Sequence, residues 1–159
     1  MELDKEKIDG MKAGAFNNIS YWGVGYADEK EIDNINILQA TKLAMKRAIE
    51  QVCLKTKEEK IQLKNIIIDG CGWNNSFKPY QVDSVIKGDN IYYSIAAASI
   101  IAKEYHDMHI KELVENEPEL DTKYSLLSNM GYPTKKHIEG IEKYGITNYH
   151  RKSFKSCKN

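Results

Sequence analysis

Asn65-Ile66-Ile67-Ile68-Asp69-Gly70 is a short, unbroken β-branched run that ends on a carboxylate and a glycine. A run without polar alternation predicts a strand covered on both faces, as in a parallel sheet. A second strand is predicted over residues 81–86 (QVDSVI), closed by Lys87-Gly88-Asp89, so an acid again stands just past a strand end. On either side the spacing becomes helical. Upstream, Leu38, Thr41, Met45, Ala48, Ile49 and Val52 recur at three- and four-residue steps across residues 37–55, opposite Lys42, Lys46, Arg47, Glu50 and Gln51. Downstream, Ile95, Ala98, Ala102, Tyr105, His109 and Leu113 step in the same way after an alanine-rich start that permits close backbone packing. Strands alternating with helices predict an α/β layer fold.

Residues 21–27 (YWGVGYA) alternate around two glycines and predict another strand, and Asp28 before Glu29-Lys30-Glu31 predicts an N-capped short helix. A further helix is predicted from Thr134, its N-cap, to Tyr144, with Gly145 at the C′ position. The prolines Pro79, Pro118 and Pro133 fall in predicted connections, and no repeat or low-complexity linker divides the chain. Its 159 residues therefore read as a single domain, 1–159.

Apolar residues at 42% and charged residues at 29% exclude the composition of a disordered chain. Cys53, Cys71 and Cys157 are odd in number and far apart, which argues against a disulfide framework or a zinc cage and for a reducing compartment. The first twelve residues alternate acids and bases without an apolar core, and residues 94–102 are too short a weakly polar run to span a bilayer. The expected location is cytoplasmic. Net charge is zero, yet from Gly131 onward Lys135, Lys136, Lys143, Arg151, Lys152, Lys155 and Lys158 face only Glu139 and Glu142. Such a basic C-terminal helix and tail would meet a phosphate backbone, with a solvated tail as the plain alternative.

The chemistry centres on Asp69 and Asp89. Open α/β sheets hold their ligand crevice at the carboxyl ends of the strands, where both acids stand. Neighbouring carboxylates repel and remain ionised together most readily with a cation between them, as in magnesium or manganese sites for phosphoryl transfer. Asp-Gly and Gly-Asp are also ordinary turn dipeptides, so a turn role stays open on these residues alone. His106 and His109 share a helical face but lack a third ligand in their stretch, and Trp73 and Phe77 are expected to cover a sheet edge.

Five stretches in order resemble the ribonuclease HII family: GVGYADEKEIDNINILQATKLAM (23–45), IIIDG (66–70), VIKGD with SIAAASIIAK (85–103), GYPTKKHIEGIEKYG (131–145) and HRKSF (150–154). The resemblance implies a ribonuclease H-like mixed sheet of five strands flanked by helices, with four carboxylates holding two divalent ions, Mn2+ or Mg2+. Asp69 and Asp89 match the third and fourth of those acids, which makes them the expected catalytic and metal-binding residues. Tyr132 matches the family tyrosine that contacts the sugar after a ribonucleotide. Lys87, Ser94, Lys103, His150 and Arg151 fall in matching stretches and are expected to touch phosphates or, alternatively, to form ion pairs or caps. The implied partners are an RNA/DNA hybrid or ribonucleotide-containing duplex DNA.

The resemblance fails in one place. Nothing before Tyr21 resembles the family's opening strand with its Asp-Glu pair or the Gly-Arg-Gly loop that follows, and Asp4-Lys5-Glu6 is no substitute. The chain is therefore expected to correspond to the C-terminal two-thirds of the family, lacking the first two strands of the sheet, with Met1 inside the first helix. Either a second chain supplies the missing strands, or the chain is a truncated product or reflects a start-site error, or it is a non-catalytic nucleic-acid-binding remnant. Smaller departures are Asn129-Met130, where a lysine is common, and Ser156 in place of a usual proline.

Overall fold

A computed structural model describes residues 21–157; the reading of the chain before Tyr21 lies outside the described residues. The elements are helix α1 (Glu29–Lys57), strands β1 (Asn65–Asp69) and β2 (Gln81–Val85), a 3-10 turn (Gly88–Asn90), and helices α2 (Tyr93–Asn116), α3 (Glu119–Tyr124), α4 (Leu126–Asn129) and α5 (Lys135–Tyr144), followed by a 3-10 turn at Lys155–Cys157. They fall into two compact units, one with residues 21–26 and 42–102, the other with 27–41 and 103–157.

In the first unit β1 and β2 pair in parallel, with Asn65 opposite Gln81 and Asp69 opposite Val85. Ile68, Phe77 and Val82 form the core beneath them, with Met45, Ile49, Ile66, Trp73 and Tyr80 packed around it. Phe77 is thus a core residue, not an edge cover. Residues 70–80 join the strands and are pinned by side chains. Trp73 N donates to Ser84 Oγ at 2.9 Å and Trp73 Nε1 to the Asp69 carbonyl at 2.9 Å, while Asn74 Oδ1 accepts from Ser84 Oγ at 2.7 Å. These bonds hold a parallel pair together without a crossover helix.

Three expectations are corrected. The β1 run is not covered on both faces: only Ile68 is buried, while Ile66 and Ile67 are half-buried, because the sheet has two strands among the described residues. For the same reason the α2 stripe is open at Ala98 and Ala102, although Ile95 is buried. Residues 21–28 are not a strand. Their backbone bonds go to α1 side chains instead: Gln51 donates Nε2 to Val24 O at 2.8 Å and accepts from Val24 N at 3.1 Å, and Lys55 Nζ reaches Trp22 O at 2.7 Å. The two glycines permit this approach.

The break predicted between a short helix and a long one is present as a kink inside α1, where Asn36 has φ 66° and ψ 163°. Asp28 Oδ1 accepts from Glu31 N at 2.7 Å and Glu31 Oε2 accepts from Asp28 N at 3.1 Å, a reciprocal cap that serves two otherwise unpaired amides. Asn36 Oδ1 then accepts from Gln39 N at 3.1 Å and starts the second segment.

The second unit packs Val114, Leu120, Tyr124, Leu126 and Ile141 into one cluster. Helix α5 starts at Thr134, whose side chain accepts from His137 N, and stops at Gly145, whose amide bonds Ile141 O, as predicted. Helices α3 and α4 were not foreseen, being too short to show a period. Tyr124 is 1% exposed, and its hydroxyl donates to Gly145 O at 2.9 Å.

A Cβ built on Gly25 would lie 1.7 Å from the Ala44 carbonyl oxygen, a backbone atom that cannot rotate away. Gly25→Ala is therefore expected to lower stability by about 1–3 kcal/mol, the usual cost of overpacking. Urea unfolding of the two proteins checks this, and coincident midpoints would show that residues 21–26 do not rest on α1.

Candidate metal and nucleic-acid sites

Asp69 closes β1 and is exposed; its Oδ1 accepts a hydrogen bond from Gly88 N at 2.7 Å. Gly88 immediately precedes Asp89, so this bond brings the two sequence-predicted acids to one end of the sheet. Lys87 lies in the left-handed region at φ 55°, which turns the chain sharply after β2 and aims the Gly88 amide back at β1. Gly88 is buried, and a Cβ there would meet Ile95 Cδ1 at 2.6 Å. Glycine at this position thus leaves room for Ile95, while Asp69 Oδ1 would stay in ordinary contact with such a Cβ at 3.5 Å. Asp89 is exposed, and its Oδ1 accepts from Asn90 Nδ2 at 3.3 Å.

The donor set of two exposed carboxylates suits a hard divalent cation. Among the described residues no group of three or more His, Cys, Asp or Glu side chains could hold a metal ion. Asp69 and Asp89 are thus two acids at one end of the sheet with no third such side chain grouped with them among the described residues. Lys87 and Ser94 are exposed at the same end of this unit, Ser94 in the first turn of α2.

In the second unit Tyr132 is 64% exposed, although its backbone is rigidly seated. Asn129 is the anchor. It is 5% exposed, donates Nδ2 to Tyr124 O at 2.7 Å, and its Oδ1 accepts from Gly131 N at 2.9 Å and lies 3.3 Å from His137 Nδ1. Tyr132 N donates to Asn129 O at 2.9 Å, and Tyr132 O accepts from Thr134 N at 2.8 Å. Met130 at φ 48° and Gly131 at φ 77° make the reversal that presents the ring. Asn129 was noted only as a departure from the family, and an Asn two residues before a glycine was the available signal for its turn role.

Lys103 is exposed and pairs with Asp107 one turn along α2. That hydrogen bond lowers the Asp107 carboxyl below its ordinary value and raises the Lys103 ammonium above its own, with Tyr132 adding a smaller push to Lys103. Arg151 is half-buried, and its guanidinium lies 3.8 Å over the Phe154 ring.

The structure does not put His150 at the surface. The ring is 8% exposed, stacked edge-on to Tyr124 at 4.8 Å and to His137 at 5.5 Å. Its Nδ1 accepts from Thr147 N at 3.0 Å, so the neutral ring carries its proton on Nε2, a buried atom with no hydrogen-bond partner among the described residues. His150 is a packing group between Tyr124 and His137. Asp33 holds the next two residues, its carboxylate accepting from Lys152 N at 2.9 Å and Ser153 N at 2.8 Å. The Ser153 bonds foremost draw the Asp33 carboxyl below its ordinary value. Asp33 lies in the matching stretch 23–45, but nothing in its spacing announced a tether to residues 152 and 153.

Two parallel strands, the first closing on Asp69 and the second followed by a turn that carries Asp89 and then by α2, define an α/β protein whose candidate site lies at the carboxyl ends of its strands. A family model for ribonuclease HII matches residues 6–157. The chain is 47% identical over 137 residues to a ribonuclease HII of Christiangramia forsetii, covering 84% of this chain and 62% of that protein. It is 48% identical over 136 residues to one of Parabacteroides distasonis, covering 84% and 61%, and 38% identical over 157 residues to one of Staphylococcus saprophyticus, covering 99% and 56%. The chain belongs to the ribonuclease HII family. It spans about three-fifths of the length of these curated relatives.

Burial foremost, and the neighbouring His137 second, push His150 from its ordinary 6.5 down to about 4; burial also lowers His137. Between those two values the unfolded chain binds a proton that the folded chain refuses. The stabilisation is complete above about 6.5 and is lost as pH falls toward 4. For His150 the difference amounts to on the order of 3 kcal/mol. Urea midpoints are thus expected to fall more steeply over this range for the wild type than for His150→Phe, which keeps a ring but cannot titrate. Parallel curves would mean that this imidazole contributes nothing to the acid sensitivity.

Proposed function

We propose that the chain forms part of an endonuclease that hydrolyses the RNA strand of RNA/DNA hybrids and cuts on the 5′ side of ribonucleotides embedded in duplex DNA. The observation that carries this reading is the Asp69–Gly88 hydrogen bond, which gathers Asp69 and Asp89 at the strand ends. Family membership supports the nuclease class, and the ribonuclease H-like fold accords with the helices and small parallel sheet.

In this reading Asp69 and Asp89 share in holding two divalent ions, Mn2+ or Mg2+, with acids from further strands. Such ions, when bound, supply positive charge to the phosphate and to the attacking and leaving oxygens. Water attacks phosphorus, the bond to the 3′ oxygen breaks, and that oxygen takes a proton, leaving a 3′-hydroxyl and a 5′-phosphate. Tyr132 packs on the sugar next to the ribonucleotide. Lys87, Ser94, Lys103 and Arg151 meet phosphates, and His150 acts through the seating of Arg151.

The reading also includes two further strands, from this polypeptide or another, that complete one ribonuclease H-like domain. Its support is the two-stranded sheet among the described residues, together with Ile86, Ile91 and Tyr93 of the first unit at 71%, 62% and 78% exposure. Large apolar side chains left open beside unpaired strand edges call for a covering element. Free Cys53, Cys71 and Cys157 fit a cytoplasmic setting, and among the described residues no helix is long and apolar enough to cross a membrane. A non-catalytic duplex-binding role is the second reading, favoured by the lack among the described residues of three or more side chains grouped to hold a metal ion.

Two measurements test these readings. Titration with manganese alone is expected to show Asp69→Asn and Asp89→Asn each weakening binding by roughly 10- to 100-fold, whereas unchanged isotherms would remove both acids from the site. With a labelled duplex carrying one ribonucleotide, the chain alone is expected to cut slowly or not at all, because two carboxylates offset only half the charge of two divalent ions. Adding the relatives' remaining segment is expected to restore cleavage. Robust cleavage by the chain alone, abolished in Asp69→Asn, would overturn the need for completion; no cleavage in either case would favour the binding reading.

A further inference from the structure

We propose that His106 is a positioning residue for Tyr132, its ring fixing the face that the tyrosine turns to the duplex. This rests on the reading of Tyr132 as a duplex contact. The backbone under Tyr132 is held by Asn129 and Thr134, but those bonds fix the main chain and leave the side-chain torsions free. With 64% of its surface exposed, the tyrosine has little packing to choose one rotamer. The aromatic ring that meets it among the described residues is His106, with centroids 6.3 Å apart and planes at 52°. That separation lies within the range in which tilted aromatic pairs attract.

His106 can direct its neighbour because it is itself restrained. Its Nδ1 lies 3.4 Å from Asp107 Oδ1, and the other oxygen of Asp107 is bonded to Lys103. The Asp107 side chain is only 17% exposed, so the acid is an inner anchor with Lys103 on one side and His106 on the other. The order of support runs from the α2 backbone through Lys103 and Asp107 to the imidazole, and from there to the phenol ring. An exposed tyrosine held in one orientation loses less rotamer freedom on meeting a sugar than one that samples several.

The test is binding of the full chain to a fluorescein-labelled duplex with a single ribonucleotide, at two salt concentrations, for His106→Phe, His106→Ala, Tyr132→Ala and the double alanine variant. His106→Phe keeps the ring and is expected to bind like wild type. His106→Ala is expected to weaken binding by roughly 2- to 10-fold, the scale of one aromatic pair. It is expected to leave the salt slope unchanged and to have no further effect once Tyr132 is alanine. If His106→Phe is as weak as His106→Ala and the salt slope falls by about 1, His106 touches a phosphate itself and the positioning role is overturned. Wild-type affinity in His106→Ala, with Tyr132→Ala weakened, overturns it alone; wild-type affinity in Tyr132→Ala removes the duplex reading of the tyrosine and the inference with it.

Discussion

A carboxylate at the end of one strand must accept a backbone amide from the turn that ends the next, and the geometry of the acid site follows from that single hydrogen bond between Asp69 and Gly88. Each neighbouring feature removes an obstacle to it. The left-handed Lys87 folds the chain back, the missing Cβ of Gly88 avoids Ile95, and parallel register places Asp69 opposite Val85, three residues before the amide that it accepts. Trp73 secures the other side of Asp69 by donating its indole N–H to the Asp69 carbonyl. The carboxylate is thus held at both its side chain and its backbone while remaining exposed. A hydrogen bond to a charged acceptor is stronger than one between neutral groups, and here it fixes the direction of the free oxygen as well.

The second unit solves a different problem, that of holding exposed side chains on a fixed backbone. Buried polar groups do this work. Asn129 satisfies Tyr124 O and Gly131 N with one amide, and the reversal it stabilises leaves Tyr132 outward. The half-buried Asp33 plays a comparable part for residues 152 and 153, and the buried His150 packs against Tyr124 and His137. Loss of Asn129 would leave buried donors and acceptors unpaired, a penalty larger than the net value of the bonds themselves. Stability and display of the basic segment are therefore coupled.

Much of this was legible in the sequence where a local rule had one outcome. Asn65 to Asp69 could scarcely be anything but a strand, and Thr134 and Gly145 set the ends of α5 by their own chemistry. The break at Asn36 was legible as two helices in succession, though not as a kink. What failed depended on neighbours. Alternation over residues 21–27 carries the same pattern whether its amides meet another strand or the side chains of Gln51 and Lys55, and only the fold distinguishes these. His150 lay in a matching basic stretch, but its burial is set by Tyr124 and His137, which are distant in sequence. Asp69 and Asp89 were singled out from strand-end position and resemblance, whereas the Gly88 amide that bonds Asp69 is a backbone group and has no signature in composition.

Zero net charge constrains how such a chain can meet nucleic acid. A uniformly cationic surface attracts a duplex everywhere and leaves orientation to short-range contacts. Here attraction must come from local groups, with Lys135, Lys136, Lys143, Arg151 and Lys152 in the segment that also carries Tyr132. Several of these charges are already engaged: Lys135 lies 3.7 Å from Glu139, Lys143 lies over the Tyr144 ring, and Arg151 covers Phe154. Weak surface pairs of this kind exchange readily for phosphate, because an exposed ion pair contributes little in water. Asp69 and Asp89 repel a bare phosphate, so the same backbone can approach them only when cations intervene. The charge pattern thereby separates two regions along one chain, a basic segment that attracts phosphate and an acid pair that repels it.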